Sequence, residues 1–161
     1  METATAEKLK AFVRGELTWS EVEGMTFEEA KAIAQVGCDL AAAGRYEEAR
    51  ILFEGLVEGN PKDSASRAAL GTVYQKLGRL EDAVSEYSAA LARDPSNPVA
   101  LVNRGELYLR WGNRQGFTDL ANAVVADPKG QTSAGRRAKA LVRAIALAAV
   151  EKVKEEPRAK A

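Results

Sequence analysis

The sequence predicts an all-α fold, and three observations carry that prediction. Glycines, prolines and aromatics recur with a period of 34 residues. Between these marks the apolar residues return at helical rather than alternating spacing. Alanine is frequent and aromatics make up only 6% of the 161 residues, a composition that favours closely packed helices over sheets. With 46% hydrophobic residues the chain holds enough apolar surface for one small domain or one short repeat array.

The period is kept by residues of different chemistry. Gly37, Gly71 and Gly105 are 34 apart, and so are Gly44, Gly78 and Gly112. Ala49 and Ala83, Phe53 and Tyr87, Tyr74 and Tyr108, and Pro61 and Pro95 hold the same register. Such agreement marks a repeated structural unit, which dictates the architecture.

Taken in chain order, residues 1–25 read as an amino-terminal helical segment. A first helix spans about Thr5 to Arg14, and a short linker helix starts at a capping box from Thr18 to Glu21. The next capping box, Thr26 with Glu29, opens the repeats, which run over residues 26–131 as units 30–63, 64–97 and 98–130. Each unit reads as a helical hairpin. In the second, Asp63 caps a helix bearing Leu70, Val73, Tyr74 and Leu77, and Gly78 supplies the left-handed residue that ends it. Leu80, Ala83, Val84, Tyr87, Ala90 and Leu91 form the returning helix, stopped at Asp94-Pro95 because proline lacks the amide proton and clashes with the preceding turn. Gly71 and Ala83 lack bulk where the two helices face each other, so the backbones approach closely around Tyr74 and Tyr87. The first unit repeats this plan, and the third begins with Asn97 as cap and Pro98 at the first helical position. From Gly112 to Pro128 the third unit is one residue short, near Gln115-Gly116, so its second helix is expected to be shortened or shifted. Residues 132–156 read as one amphipathic capping helix, with Ala138, Leu141, Val142, Ile145 and Ala149 on one stripe and Arg136, Lys139 and Arg143 on another. Residues 157–161 are expected to be a disordered tail.

The series Gly37, Leu40, Gly44, Tyr46, Ala49, Phe53 and Pro61, renewed as Leu70, Gly71, Tyr74, Gly78, Ala83, Tyr87, Ala90 and Pro95, resembles the tetratricopeptide repeat. The resemblance implies a right-handed superhelix of three hairpins, flanked by the amino-terminal helix and the capping helix. Three repeats between such flanks, with Phe12-Val13-Arg14-Gly15 and Gly44-Arg45-Tyr46-Glu47-Glu48-Ala49, are also similar to the chaperones of type III secretion translocator proteins. That resemblance implies an apolar secreted protein as partner and pairing of two subunits through the amino-terminal helix.

In stacked hairpins the first helix of each lines the inner surface. The register puts Lys31, Ala34, Gln35, Cys38 and Ala42 there from the first unit, and Ala65, Ala68, Ala69, Thr72, Gln75 and Lys76 from the second. The third contributes Val99, Val102, Asn103, Glu106, Leu109 and Arg110. Alanines on such a floor open shallow pockets, and Gln35, Gln75 and Asn103 offer hydrogen bonds to an extended peptide. The expected function is therefore a protein-binding chaperone or adaptor holding a peptide segment of its partner. Some of the alanines are expected to be lost to packing between repeats. Related domains grip chaperone carboxyl termini with a clamp of Lys, Asn and Arg, but the matching places hold Ala34, Cys38, Ala69 and Val99, with only Asn103 kept. That subclass is set aside.

The chemistry of an enzyme is not apparent. There is no histidine, the commonest general base and metal ligand, so no catalytic residue, metal or cofactor is expected. Cys38 has no evident partner to make a thiolate, and Glu47-Glu48 and Glu81-Asp82 stand where they complement helix dipoles. The run Lys129 to Ser133 lacks the upstream glycine of a phosphate loop. Trp19 and Trp111 lack the basic aromatic strip of a base-stacking platform. The formal charge is zero, yet residues 132–161 carry eight Lys/Arg against three Glu, leaving contact with nucleic acid or membrane through the basic helix as the alternative function. One cysteine, no apolar leader and no apolar run near 20 residues point to the cytoplasm.

Overall fold

The computed structural model describes residues 2–16 and 26–155, and among these it contains eight α-helices and no strand. Helix α1 spans Glu2–Val13, longer at its start than the sequence suggests. The Thr18 to Glu21 capping box, Trp19 and residues 157–161 lie outside the described residues. The chain divides into two compact units, Met1–Pro95 and Ser96–Ala161.

In the first unit, α2 (Phe27–Ala42) begins at the capping box. The Glu29 amide donates to Thr26 Oγ1 at 3.3 Å, and the Thr26 amide donates to Glu29 Oε2 at 2.8 Å. The left-handed turn that reverses the chain is at Gly44, φ +78°. α3 (Tyr46–Gly59) then carries Glu47 and Glu48 in its first turn, where their charge suits the helix dipole. α4 (Ser64–Lys76) is capped by Asp63, whose carboxylate accepts from the Ala65 amide at 3.0 Å, and α5 (Leu80–Arg93) completes the second hairpin.

Close approach inside each hairpin is built on a glycine. A Cβ at Gly37 would stand 2.8 Å from the Phe53 ring, and one at Gly71 would stand 2.7 Å from the Tyr87 ring. Both rings are fully buried, and each buried aromatic of this size contributes about 2–3 kcal/mol through the apolar area removed from water. Across the second hairpin Arg67 meets Glu86 at 2.9 Å, and the Ser64 hydroxyl donates to the Ala90 carbonyl.

The second unit holds α6 (Pro98–Arg110), α7 (Gln115–Ala126) and α8 (Ser133–Glu155). Asn97 caps α6 through the Ala100 amide, with Pro98 in the first turn. The missing residue shows in α7, which has 12 residues where α3 and α5 have 14. Gly116 now takes the place of Ala49 and Ala83. A Cβ there would be 2.5 Å from the Gly105 carbonyl oxygen, so two glycines let the backbones touch. Leu120 fills the place held by Phe53 and Tyr87 in the other hairpins, and beside it the buried Asp119 takes both ends of the Arg104 guanidinium at 2.8 and 2.9 Å.

α8 packs its first half on α7 and α6, burying Ala138 completely. The turn into it is fixed by Asp127, whose carboxylate accepts from the Gln131 and Thr132 amides at 2.9 and 2.8 Å and from the Thr132 hydroxyl at 2.8 Å. These bonds hold the Asp127 carboxyl down at about 2. They also engage the Gln131 and Thr132 amides of the run that superficially suggested a phosphate loop.

Candidate binding surface

In the first unit, α2 and α4 present most of the residues assigned to the inner surface. Lys31, Gln35, Cys38, Ala42, Ala65 and Lys76 are exposed, and Ala34, Ala69, Thr72 and Gln75 are half-buried. Ala68 is different. It is 2% exposed and lies in the core, so it is no part of an accessible floor. Val102, one period later, is 1% exposed. The two share a register position that turns into the packed layer, whereas Ala34, at the same position in the first hairpin, stays half-buried.

The polar groups of this face are positioned from behind. The Tyr87 ring lies on Gly71, and its hydroxyl reaches past the glycine to Gln75 Oε1 at 2.8 Å, with Thr72 Oγ1 at 3.3 Å. Thr72 in turn donates to the Ala68 carbonyl at 2.9 Å. The Gln75 amide nitrogen has no acceptor among the described residues, so its protons are available to a guest carbonyl. On α2, Gln35 donates to Asp39 at 2.9 Å. The Cys38 thiol is pushed up by partial burial and by the Asp39 charge, which leaves it a poor nucleophile.

The second unit presents less of its expected surface. Val99 is 39% exposed and Arg110 is exposed, but Asn103 is buried and Leu109 half-buried. Arg137 of α8 donates to Asn103 Oδ1 at 3.2 Å and pairs with Glu106. Asn103 and Glu106 therefore serve the fold before they can serve a ligand. Arg137 follows Asn103 by one period of 34, so α8 runs in the register of a fourth first helix. That spacing was the signal that could have found the contact.

A second polar cluster in the first unit was not foreseen. Tyr74 donates to Glu54 at 2.7 Å, Glu54 accepts from Arg50 at 2.7 and 2.8 Å, and Arg79 covers the Tyr74 ring at 4.4 Å. Burial, and then the Glu54 carboxylate, push the Tyr74 hydroxyl up to about 12. The cluster ties α3 to α4 and keeps the two first helices of this unit in fixed relation.

Residues 40–100 match the tetratricopeptide repeat family. Among solved structures, the Yersinia enterocolitica type III secretion chaperone SycD, in complex with a peptide of the translocator YopD, is similar with a TM-score of 0.67 at 20% identity, covering 78% of this chain and 98% of that one. PcrH from Pseudomonas aeruginosa has a TM-score of 0.68 at 22% identity over 78% of this chain and 97% of its own. These likenesses establish the fold. Among curated proteins, the Arabidopsis thaliana TPR repeat-containing thioredoxin TTL4 is 27% identical over 101 residues, 63% of this chain. The Caenorhabditis elegans BBSome complex member bbs-4 is 32% identical over 68 residues, 42% of this chain. The chain spans about 15% of the length of these two relatives. No helix among the described residues is long and apolar enough to cross a membrane.

Proposed function

From the premise that this chain carries tetratricopeptide repeats, we propose that it is a non-enzymatic chaperone or adaptor that holds an extended segment of a partner protein on the inner faces of its first helices. The observation that carries this reading is the α2 and α4 face, where small residues at Ala34, Ala65 and Ala69 lie beside a Gln75 amide held by Tyr87. Small side chains leave room for apolar side chains of a guest, and the held amide meets its backbone. Preorganisation lowers the entropy cost of binding.

The partner proposed is an apolar translocator of a type III secretion system. SycD and PcrH, which share the fold, have been solved with segments of YopD and PopD. The test is co-expression with the apolar protein encoded beside this one. The wild-type chain keeps that protein soluble, and Ala34→Glu with Ala69→Glu loses the complex while helical circular dichroism is unchanged, because both sites are half-buried rather than core. Ala68 and Val102 are unsuitable for this test, since a glutamate in either would unfold its hairpin. A complex that survives the double substitution places the binding site elsewhere.

A further inference from the structure

Helix α8 continues where the other first helices stop. α2, α4 and α6 end at Gly44, Gly78 and Gly112, each with positive φ, and the next position in the period is Ala146, in the middle of α8. Likewise Gly37, Gly71 and Gly105, which admit the second helix of each hairpin, are followed one period later by Lys139. No turn forms, and α8 runs on for 23 residues, roughly 35 Å at 1.5 Å per residue. Beyond Ile145 every described side chain is exposed through Lys154.

This bare half is not a solvated face. From Ala144 to Val150 every residue is apolar, and Val142, Ala146, Val150 and Val153 lie on one side at spacings of four, four and three. Val150 is 52% exposed and Val153 is 73% exposed. The stripe begins at the register positions that receive a second helix in the complete hairpins. Along its edge stand Lys139, Arg143 and Lys154, and neither Arg143 nor Lys154 has an ion-pair partner among the described residues.

The chain itself indicates what such a seat accepts. Its second helices bring carboxylates to basic residues of the first, Glu86 to Arg67 at 2.9 Å and Asp119 to Arg104 at 2.8 Å. We infer that the distal half of α8 is a docking stripe for an acidic amphipathic helix of a partner protein, laid where the second helix of a fourth hairpin would lie. A second copy of the chain is the poorer occupant. Two α8 stripes paired antiparallel about their centre would set Arg143 of one against Lys152 of the other, a like-charge contact along an apolar seam.

The test uses the full chain and a labelled synthetic helix of about 20 residues built from Ala, Leu and Glu, with leucines at helical spacing, against a matched peptide with Lys for Glu. Fluorescence anisotropy is expected to show saturable, salt-sensitive binding of the Glu peptide. Val150→Asp and Arg143→Glu each weaken it roughly tenfold or more, about 1.4 kcal/mol. Ala34→Glu with Ala69→Glu leaves it unchanged, which separates this site from the inner face. Both α8 positions are exposed, so helical circular dichroism stays constant. Equal binding of the Lys peptide, or indifference to Val150→Asp, overturns the proposal. So does a wild-type dimer in sedimentation that Val150→Asp dissociates, or stripe-dependent binding to phosphatidylglycerol vesicles with none to the Glu peptide.

Discussion

The Tyr87 ring lies against the backbone of Gly71, so that a methyl group added there would meet ring atoms at 2.7 and 2.8 Å, while the hydroxyl reaches Gln75 on the helix's inner face. One side chain thus closes the second hairpin and positions a polar group of the candidate surface. Packing and binding geometry share a residue.

Gly71→Ala is expected to lower stability by about 1–3 kcal/mol, since Tyr87 is completely buried and the Ala83 carbonyl lies 3.2 Å from the same Cβ. Tyr87→Phe keeps the packing and loses the hydroxyl's bonds, costing about 1 kcal/mol. Urea midpoints give both values. An alanine at Gly71 that is neutral would show that the hairpin opens without strain.

Asp119→Ala is expected to cost about 3 kcal/mol, because it leaves the largely buried Arg104 guanidinium without its carboxylate. Arg104→Met with Asp119→Leu should recover most of the loss, as a well-packed apolar pair removes both charges together. A double-mutant cycle by thermal unfolding measures the coupling. Failure of the pair to couple would place Asp119's importance in helix packing instead.

Asp127 gives a pH signature. Its carboxyl is held at about 2 by the Thr132 and Gln131 amides, below the 3.8 of an unstrained aspartate. A depressed carboxyl stabilises the fold above the unfolded value and loses that stabilisation as pH falls toward the folded one. Wild-type stability should therefore drop between about pH 4 and pH 2 more steeply than that of Asp127→Asn. Unfolding midpoints at a series of pH values check this, and parallel curves would remove Asp127 as the titrating group.

Tyr74 predicts the opposite limb. Burial and Glu54 raise its hydroxyl to about 12, so the neutral form is the one the fold favours. Its contribution is complete below about pH 10 and is lost as pH rises through 12. Ultraviolet difference titration should find a tyrosine that ionises two pH units later than the others and vanishes in Tyr74→Phe. A single transition near pH 10 would mean that the Glu54 bond does not form.

Much of the architecture was legible because its signals are local. Caps at Thr26, Asp63 and Asn97, turn glycines at 44, 78 and 112, and Pro98 act within a few residues of themselves, and each stands at the helix boundary expected of it. The shortened α7 was readable from one missing residue. The inner face was readable only in part. Helical spacing places Ala68, Ala69 and Thr72 on one helix, but Ala68 goes into the core while Ala69 stays half-open, a difference of a single step around the axis. Asn103 and Glu106 were placed on the face correctly in register, yet their partner Arg137 lies 34 and 31 residues away.

By itself the sequence determined that the chain is all-helical, where its hairpins turn and which glycines let the helices touch, since backbone propensity and steric fit are properties of neighbouring residues. Only the tertiary structure decided which small residues remain reachable, that Arg104 and Asp119 fill the gap left by the deletion, and that α8 overshoots its support. Those outcomes depend on what covers each face, and a covering group is chosen by packing between segments distant in the chain.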